Sequence, residues 1–594
     1  MTSYTAPTRD MQFVINELAG LEQVRQLPGF EEATPDLVEA VLEEAARLAT
    51  EVLAPINKSG DLEGSRVGND GVVVAEGFKE AYEKFVEGGW PGLKFSPEFG
   101  GQGLPALLST AVDEMWQAAN MSFALCPLLT QGAIDAIEIH GSDAQQALYL
   151  EKMVSGQWTG TMNLTEPQAG SDLAAVRTRA EPEGDHHLIT GQKIYITWGD
   201  HNVAENIVHL VLARTPDAPE GVKGISLFIV PKFLPDAEGG PGTRNDVHPV
   251  SVEHKMGIHA SPTCVMSYGD QGGAVGYLVG EENKGLIYMF TMMNRARLSV
   301  GLQGLAISER AYQQAREYAR QRVQGSAVGH EGRVTIIHHP DVRRMLMVMK
   351  AHIEAMRALA YVTMAELDMA EKSTDEAARE RHQARVDLLT PVVKGWLTEV
   401  GQELTSLGVQ IHGGMGFIEE TGAAQYFRDA RITTIYEGTT GIQALDLVGR
   451  KTLRDTGRAQ AELLAEMRAD VEALTEAGPE LDEVHAALVQ GLDAHEQAVK
   501  YLLGQFQADP DLPGSVAFNM LMLMGTVAGG WQMGRTALRA RQALDQGEDS
   551  DGFYQTKLAT ARFYARHIMP RAQAYLGAAL AGSEDVMSLS EADF

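Results

Sequence analysis

The sequence predicts a mostly α chain with one central β segment, in the order α, β, α and then a further α region. Apolar residues recur at helical spacing up to about residue 158 and again from about 281. Short β-rich runs broken by Gly, Pro, Asn and Asp fill the interval between. A separate set of amphipathic stripes follows Arg450. The expected domains are therefore 1–158, 159–280, 281–450 and 451–594. At about 100–200 residues per domain, a 594-residue chain has room for three or four.

In the first segment, "PDLVEAVLEEAARLATEVLAPINK" places Leu37, Val41, Ala45, Leu48 and Val52 on one helical stripe, and "SPEFGGQGLP" at 96–105 is a punctuated loop. In the second, "HHLITGQKIYITWG", "NIVHLVLART" and "KGISLFIVPKF" predict a small antiparallel barrel or sandwich. Within it, alternation along "KIYITWG" (193–199) sets Ile194 and Ile196 on one face, Tyr195 and Thr197 on the other. An aromatic beside a hydroxyl suits support of a flat ring and hydrogen bonding to its edge. The third segment holds long helical runs such as "HPDVRRMLMVMKAHIEAMRALAYVTMAELDMA". In the fourth, Leu463, Leu464, Met467, Val471 and Leu474 form one stripe and Leu481, Val484, Leu488 and Leu492 the next, separated by "GPE" at 478–480. The apolar stretch 516–533 contains Asn519, Thr526, three glycines and Gln532, short of the ~20 apolar residues a membrane span wants, so a buried helix is expected there.

Composition narrows the function classes. Lys plus Arg number 49 against 80 Asp plus Glu, a net charge of −31, which repels phosphate backbones and argues against nucleic acid as a partner. A phosphorylated small ligand needs only a local basic pocket. Cys126 and Cys264 are the only cysteines, so no disulfide framework or thiolate metal site is expected. The histidines, His338 and His339 included, lack metal-ligand spacing. No basic and apolar leader opens the chain, and a cytoplasmic protein without an integral membrane segment is expected. GxSxG, P-loop, HExxH and Rossmann GxGxxG motifs are missing.

Three stretches remain as candidate sites. "MNLTEPQAGSD" (162–172) is a turn rich in hydroxyls and backbone amides. "HGGMGF" (412–417) is glycine-rich but follows a long helix and reads equally as a helix stop. "RITTIYEGTTGIQ" (431–443) sets Glu437 between apolar Ile435-Tyr436 and flexible Gly438 just before a helix, where partial desolvation makes a carboxylate a stronger base. An ordinary N-terminal helix acid is the alternative reading of Glu437.

Taken in order, "TEPQAGSD", "GQKIYITWG", "EHKMGIHASPT", "NRARLSVGLQGLA", "QIHGGMGF" and "IYEGTTGIQ" resemble the acyl-CoA dehydrogenase family over roughly 35–450. The resemblance implies that family's fold: a helical N-terminal domain, a small β domain and a four-helix bundle, here with an additional C-terminal helical domain. It implies FAD as cofactor and oxidation of acyl-CoA to trans-2-enoyl-CoA, with Glu437 removing the α-proton while the β-hydride passes to flavin N5. It places Thr165, Ser171, Tyr195, Thr197 and Thr439 at the flavin, with Ser171 also near the substrate. Arg322, Gln324, Gln410, Gly413 and Gly414 would bind the pyrophosphate and adenosine across a subunit interface. Arg297 would support the base and the CoA end, the alternative being a core ion pair. Gly438 would let the backbone approach the thioester, and Thr439 or Thr440 would cap the next helix, whose positive end would keep Glu437 ionised. Met162, Tyr195, Val323-Gln324 and Gly441 depart from common family residues.

The extra region after 450 and the "APTRDMQFVINEL" opening resemble a larger bacterial branch that includes long-chain and 3-methylmercaptopropionyl-CoA dehydrogenases. Medium or long straight-chain acyl-CoA in β-oxidation is the expected substrate, the methylthio substrate the alternative. Electron transfer flavoprotein is the expected acceptor and a homodimer the expected assembly. An acyl-CoA oxidase and, remotely, a flavin-bearing DNA-associated protein are the rival functions.

Overall fold

The computed structural model describes residues 4–594. The chain forms two compact units that are discontinuous in sequence. One comprises Glu44–Leu104 and Met115–Ala296; the other comprises the described residues up to Glu43, Pro105–Glu114 and Arg297–Phe594.

The first unit carries the sheet and the buried helix α1 (Met121–His140). Its strands are β1 (Trp158–Asn163), β2 (Arg179–Glu183), β3 (His186–Thr197), β4 (Asn206–Ala213), β5 (Ser226–Pro231), β6 (Val247–Val252), β7 (Thr263–Tyr268) and β8 (Ala274–Leu278). They make one eight-stranded sheet in the order β6-β7-β3-β8-β5-β4-β1, with β2 paired to β3. The expected antiparallel pattern needs correction at one edge, because β1 runs parallel to β4. The long stretch between them, which contains β2 and β3, leaves room for the crossover that a parallel pair needs. Every residue of β1 is buried, as parallel strands covered on both faces usually are. Ile189, Ile196, Val211, Phe228, Val230, Met266 and Tyr268 fill the sheet's core.

The second unit is helical. It takes α2 (Gly285–Gln321) from Arg297 onward, then α3 (Pro340–Lys372), α4 (Glu376–His412) and α5 (Thr440–Leu445). After a π-helical continuation to Leu453 come α6 (Arg458–Glu472), α7 (Asp482–Gln505), α8 (Leu512–Asp545), α9 (Phe553–Phe563) and α10 (Arg571–Leu580). The stripes expected on α6 and α7 are buried. On the helix Pro35–Leu48 and its continuation the stripe lies one residue later than expected. Val38, Leu42, Ala45, Ala49 and Leu53 are buried, while Leu37, Val41, Leu48 and Val52 are its half-buried flank. Two adjacent apolar rows make that choice ambiguous in the sequence.

Close backbone approach seats α8 on α4. A Cβ on Gly525 would lie 2.1 Å from Trp396 Cγ, and one on Gly529 2.6 Å from Trp396 Cη2, so the indole fits only against glycine. Both nitrogens of the Arg571 fork reach Glu403 on α4 at 2.7 Å. By length and composition α1 and α8 are apolar enough to cross a membrane, yet 78% and 72% of their apolar windows are buried inside the protein. Both are thus placed as core helices.

Candidate active site

The turn 435–439 links the 3₁₀ segment Arg431–Thr434 to α5. Glu437 (φ 57°) and Gly438 (φ 89°) are both left-handed. For a glutamate that conformation costs about 1–2 kcal/mol, so neighbours must enforce it. Gln443, fully buried on α5, donates Nε2 to the carbonyls of Glu437 (3.3 Å) and Gly438 (3.2 Å). The Tyr436 hydroxyl donates to Gln303 Oε1 of α2, and Thr440 Oγ1 donates to Glu399 Oε1 of α4 at 2.6 Å. Thr439 caps α5, its Oγ1 accepting from Ile442 N–H at 3.3 Å. Gly438 is required twice over: its φ is positive, and a Cβ would fall 2.6 Å from Gln443 Nε2.

This clamp leaves Glu437 free to act outward. Among the described residues neither its backbone N–H nor its carboxylate has a hydrogen-bond or ion-pair partner. The side chain is half-buried, and burial lifts its proton affinity to about 7, against the pull of Arg297 and Lys394. Arg297, buried on α2, pairs with Asp446 at 3.7 Å, while its Nε has no acceptor. A Cβ on Gly438 would lie 3.8 Å from Arg297 Nη2, which places the guanidinium directly behind the turn. The ion-pair reading of Arg297 is thus met, and its charge also acts on the Glu437 carboxylate. Lys394 on α4 is fully buried and its Nζ donates to nothing; burial lowers its proton affinity to about 8.

Arg297, Glu437, Gly438 and Thr439 are thus one cluster. The other candidates of the helical unit lie on two exposed segments that make no hydrogen bond or ion pair with it. Arg322 and Gln324 follow α2 in a lobe closed by Gln324 N–H to Val334 O (3.0 Å) and Ile336 N–H to Arg322 O (2.8 Å). Gln410 lies in the last turn of α4, and Gly413 (φ 59°) and Gly414 follow the helix with open space where a Cβ would stand. The glycine run is both a helix stop and an open backbone surface.

In the sheet unit, Thr165 and Ser171 lie on a loop folded around buried Glu166. That carboxylate accepts from Arg177 N–H (2.8 Å), Thr178 N–H (3.1 Å), Thr178 Oγ1 (2.6 Å), Gln168 Nε2 (2.6 Å) and Lys193 Nζ (2.8 Å). These contacts hold it down at about 2, while burial lowers Lys193 to about 8. Ile194 N–H donates to Thr165 O at 2.9 Å, which sets Thr165 beside β3. The alternation expected along β3 is corrected here by a β-bulge: Ile194 and Tyr195 together oppose Val265. Tyr195 takes φ 59° and turns 61% exposed, Lys193 and Ile196 are buried, and Ile194 and Thr197 are half-buried.

Lys394, Gln443 and the Glu166–Lys193 pair were not among the sequence candidates. The signal for Lys394 was present: it is the lone charge in the apolar run "LLTPVVKGWL" (388–397). Among the described residues no group of three or more His, Cys, Asp or Glu is arranged to hold a metal ion.

The chain matches, in succession, the acyl-CoA dehydrogenase N-terminal domain (36–157), middle domain (161–270) and C-terminal domain (283–453), then an acetyl-CoA dehydrogenase C-terminal-like domain (463–590). It is 52% identical over 573 residues to a 3-methylmercaptopropionyl-CoA dehydrogenase of Ruegeria pomeroyi, covering 96% of each chain. The chain belongs to the acyl-CoA dehydrogenase family. It is accordingly an FAD-dependent oxidoreductase. A broad-specificity linear acyl-CoA dehydrogenase of Mycobacterium tuberculosis is 35% identical, with 100% of each chain covered. An acyl-CoA dehydrogenase of Bacillus anthracis solved with FAD shares the fold at TM-score 0.73 and 22% identity, with 94% of this chain and 90% of that one covered.

Each unit carries residues that suit a flavin. In the sheet unit Tyr195 offers an uncovered aromatic ring and the Glu166-centred loop carries Thr165 and Ser171; in the helical unit Gly413-Gly414 leave backbone open to a ligand.

Proposed function

We propose that this enzyme removes the α-proton and β-hydride of a short acyl-CoA, with Glu437 as the base, and that 3-methylmercaptopropionyl-CoA is the substrate. The observation that carries the chemistry is a carboxylate of raised proton affinity, with no protein partner, in a strained and clamped turn. A thioester α-proton is a weak acid, so the developing negative charge on the carbonyl oxygen needs a donor; the unpartnered Glu437 N–H is the candidate. The half-buried carboxylate takes the proton, and Arg297 behind the turn holds it in its ionised form beforehand.

Thr165, Ser171, Tyr195, Thr197 and Thr439 would hold the flavin ring, and Arg322, Gln324, Gln410, Gly413 and Gly414 the pyrophosphate and adenosine. Bound FAD supplies the two-electron acceptor for the β-hydride. Ser171 and Gly438 would contact the substrate. The 52% identity across 96% of the chain supports the methylthio substrate ahead of medium or long straight chains. Likeness to the broad-specificity linear enzyme supports straight chains as the second reading. A homodimer and electron transfer flavoprotein as acceptor complete the proposal. Exposed Val323, Met415, Phe417 and Ile418 support a further interface on the segments that carry Gln324 and Gly414.

Anaerobic titration of the yellow protein with straight-chain acyl-CoAs and 3-methylmercaptopropionyl-CoA tests this reading. Fastest bleaching with the methylthio compound is expected. No bleaching with any thioester would refute the reaction, fastest bleaching with a longer chain would replace the substrate, and peroxide formed in air without an added acceptor would replace the acceptor.

A further inference from the structure

Around the 437 turn, nearly every buried charge has a local partner. Arg297 is paired with Asp446 at 3.7 Å, and Asp446 is also reached by Arg450 at 3.6 Å. Glu399 accepts the Thr440 hydroxyl at 2.6 Å, and the Tyr436 hydroxyl is engaged by Gln303. Two groups are left over, one of each sign: the Glu437 carboxylate and the Lys394 ammonium.

Lys394 is completely buried: it lies three residues beyond Pro391 within α4, and it is 0% exposed. The charges that face it are Glu437 from the turn, Arg297 from α2 and Glu399 from its own helix. Glu437 is the largest attractive influence on it, and Lys394 is in turn one of the two cations that act on Glu437. The two make no direct ion pair. An isolated buried ammonium is destabilising unless a neighbouring charge compensates it, so a lysine kept at this position points to a use.

We propose that Lys394 is a positioning residue for Glu437, a buried cation that keeps the carboxylate ionised and proton-accepting without a hydrogen bond that would take up its lone pairs. A contact ion pair would stabilise the anion so far that the base became weak; a facing charge at longer range biases ionisation and leaves the oxygens free. Arg297 is the stronger of the two cations acting on Glu437 but is shared with Asp446; Lys394 adds a charge that no hydrogen bond engages. Once the α-proton has moved to Glu437, the ammonium loses its counter-charge, which favours return of the proton to solvent after product leaves.

This inference rests on Glu437 being the base. The test is the rate of flavin bleaching by saturating acyl-CoA, measured anaerobically across pH in flavin-loaded Lys394→Met, Lys394→Gln and Lys394→Arg. Loss of the cation should move the acid limb upward by about one pH unit or more, because an opposite charge nearby typically lowers a carboxylate by about 1–3 units. Below the limb the neutral variants should then be slowed about 10-fold or more, recovering toward a plateau at higher pH, and Lys394→Arg should restore the limb. An unmoved limb in the neutral variants, an equal loss at every pH, or failure of both neutral variants to accumulate as flavoprotein would each overturn the proposal and assign Lys394 to packing. Glu437→Gln separates the two levels. If it still bleaches, the reading of the base fails; if it is inert while Lys394→Met keeps the wild-type limb, only the role of Lys394 fails.

Discussion

Two clusters of buried charge in the helical unit are built in opposite ways. Around Arg357 every charge is answered: its Nη2 reaches Glu114 at 2.7 Å and Glu309 at 2.8 Å, its Nε reaches Glu114 at 3.1 Å, and the Tyr361 hydroxyl donates to Glu114 at 2.6 Å. Around Glu437 the carboxylate, the Lys394 ammonium and the Arg297 Nε have no hydrogen-bond partner. Fully paired charges lock helices α2 and α3 to the segment carrying Glu114 and leave nothing over for chemistry. Incompletely paired ones destabilise the fold and keep their proton affinities adjustable. The contrast separates a structural use of buried charge from the functional one proposed for the 437 turn.

The largest expected effect breaks the paired cluster. Arg357→Met leaves Glu114 and Glu309 buried together without a cation, and should cost about 3–5 kcal/mol in a urea unfolding series. Glu166→Gln should come next. It strips buried Lys193 of its charge partner and loosens the loop that presents Thr165 and Ser171, so flavin content should fall along with an estimated loss of about 2–3 kcal/mol. Because the folded state holds Glu166 at about 2, below the ordinary carboxylate value, its stabilising contribution is present above that ordinary value. It should be lost as the pH falls toward 2.

A smaller effect, of opposite sign, should appear at the 437 turn. Burial raises Glu437 to about 7, so ionising it opposes folding, and that penalty grows as pH rises from the ordinary carboxylate range through 7. Glu437→Gln should therefore be more stable than the wild type at pH 8, by about 1–2 kcal/mol after allowance for partial solvent access, with the gap closing near pH 5. Thermal unfolding at the two pH values checks this. Equal stability at both would mean that the turn does not strain the carboxylate.

Much of the fold was legible because helical stripes such as Leu463–Met467–Val471 depend only on local spacing. The parallel β1–β4 pair was hidden because strand direction is set by a partner more than forty residues away. The bulge at Tyr195 was hidden because alternation over four residues cannot register an extra residue, although that bulge is what turns the aromatic outward. At the site, Glu437 and Gly438 were readable from a turn motif, since glycine beside an acid at a helix start constrains the backbone locally. Lys394 stood out as the lone charge in an apolar run, but its relation to Glu437 did not, and Gln443 gave no signal, because what matters in both is the company they keep across the turn and its neighbouring helices.

The most direct test of Glu437 as the base is a rapid-mixing measurement of anaerobic flavin bleaching by 3-methylmercaptopropionyl-CoA in wild type and Glu437→Gln, both with full FAD content. Bleaching in the variant should slow by about 10³-fold or more, with the visible spectrum before mixing unchanged. A variant that reduces its flavin at close to the wild-type rate would contradict the assignment.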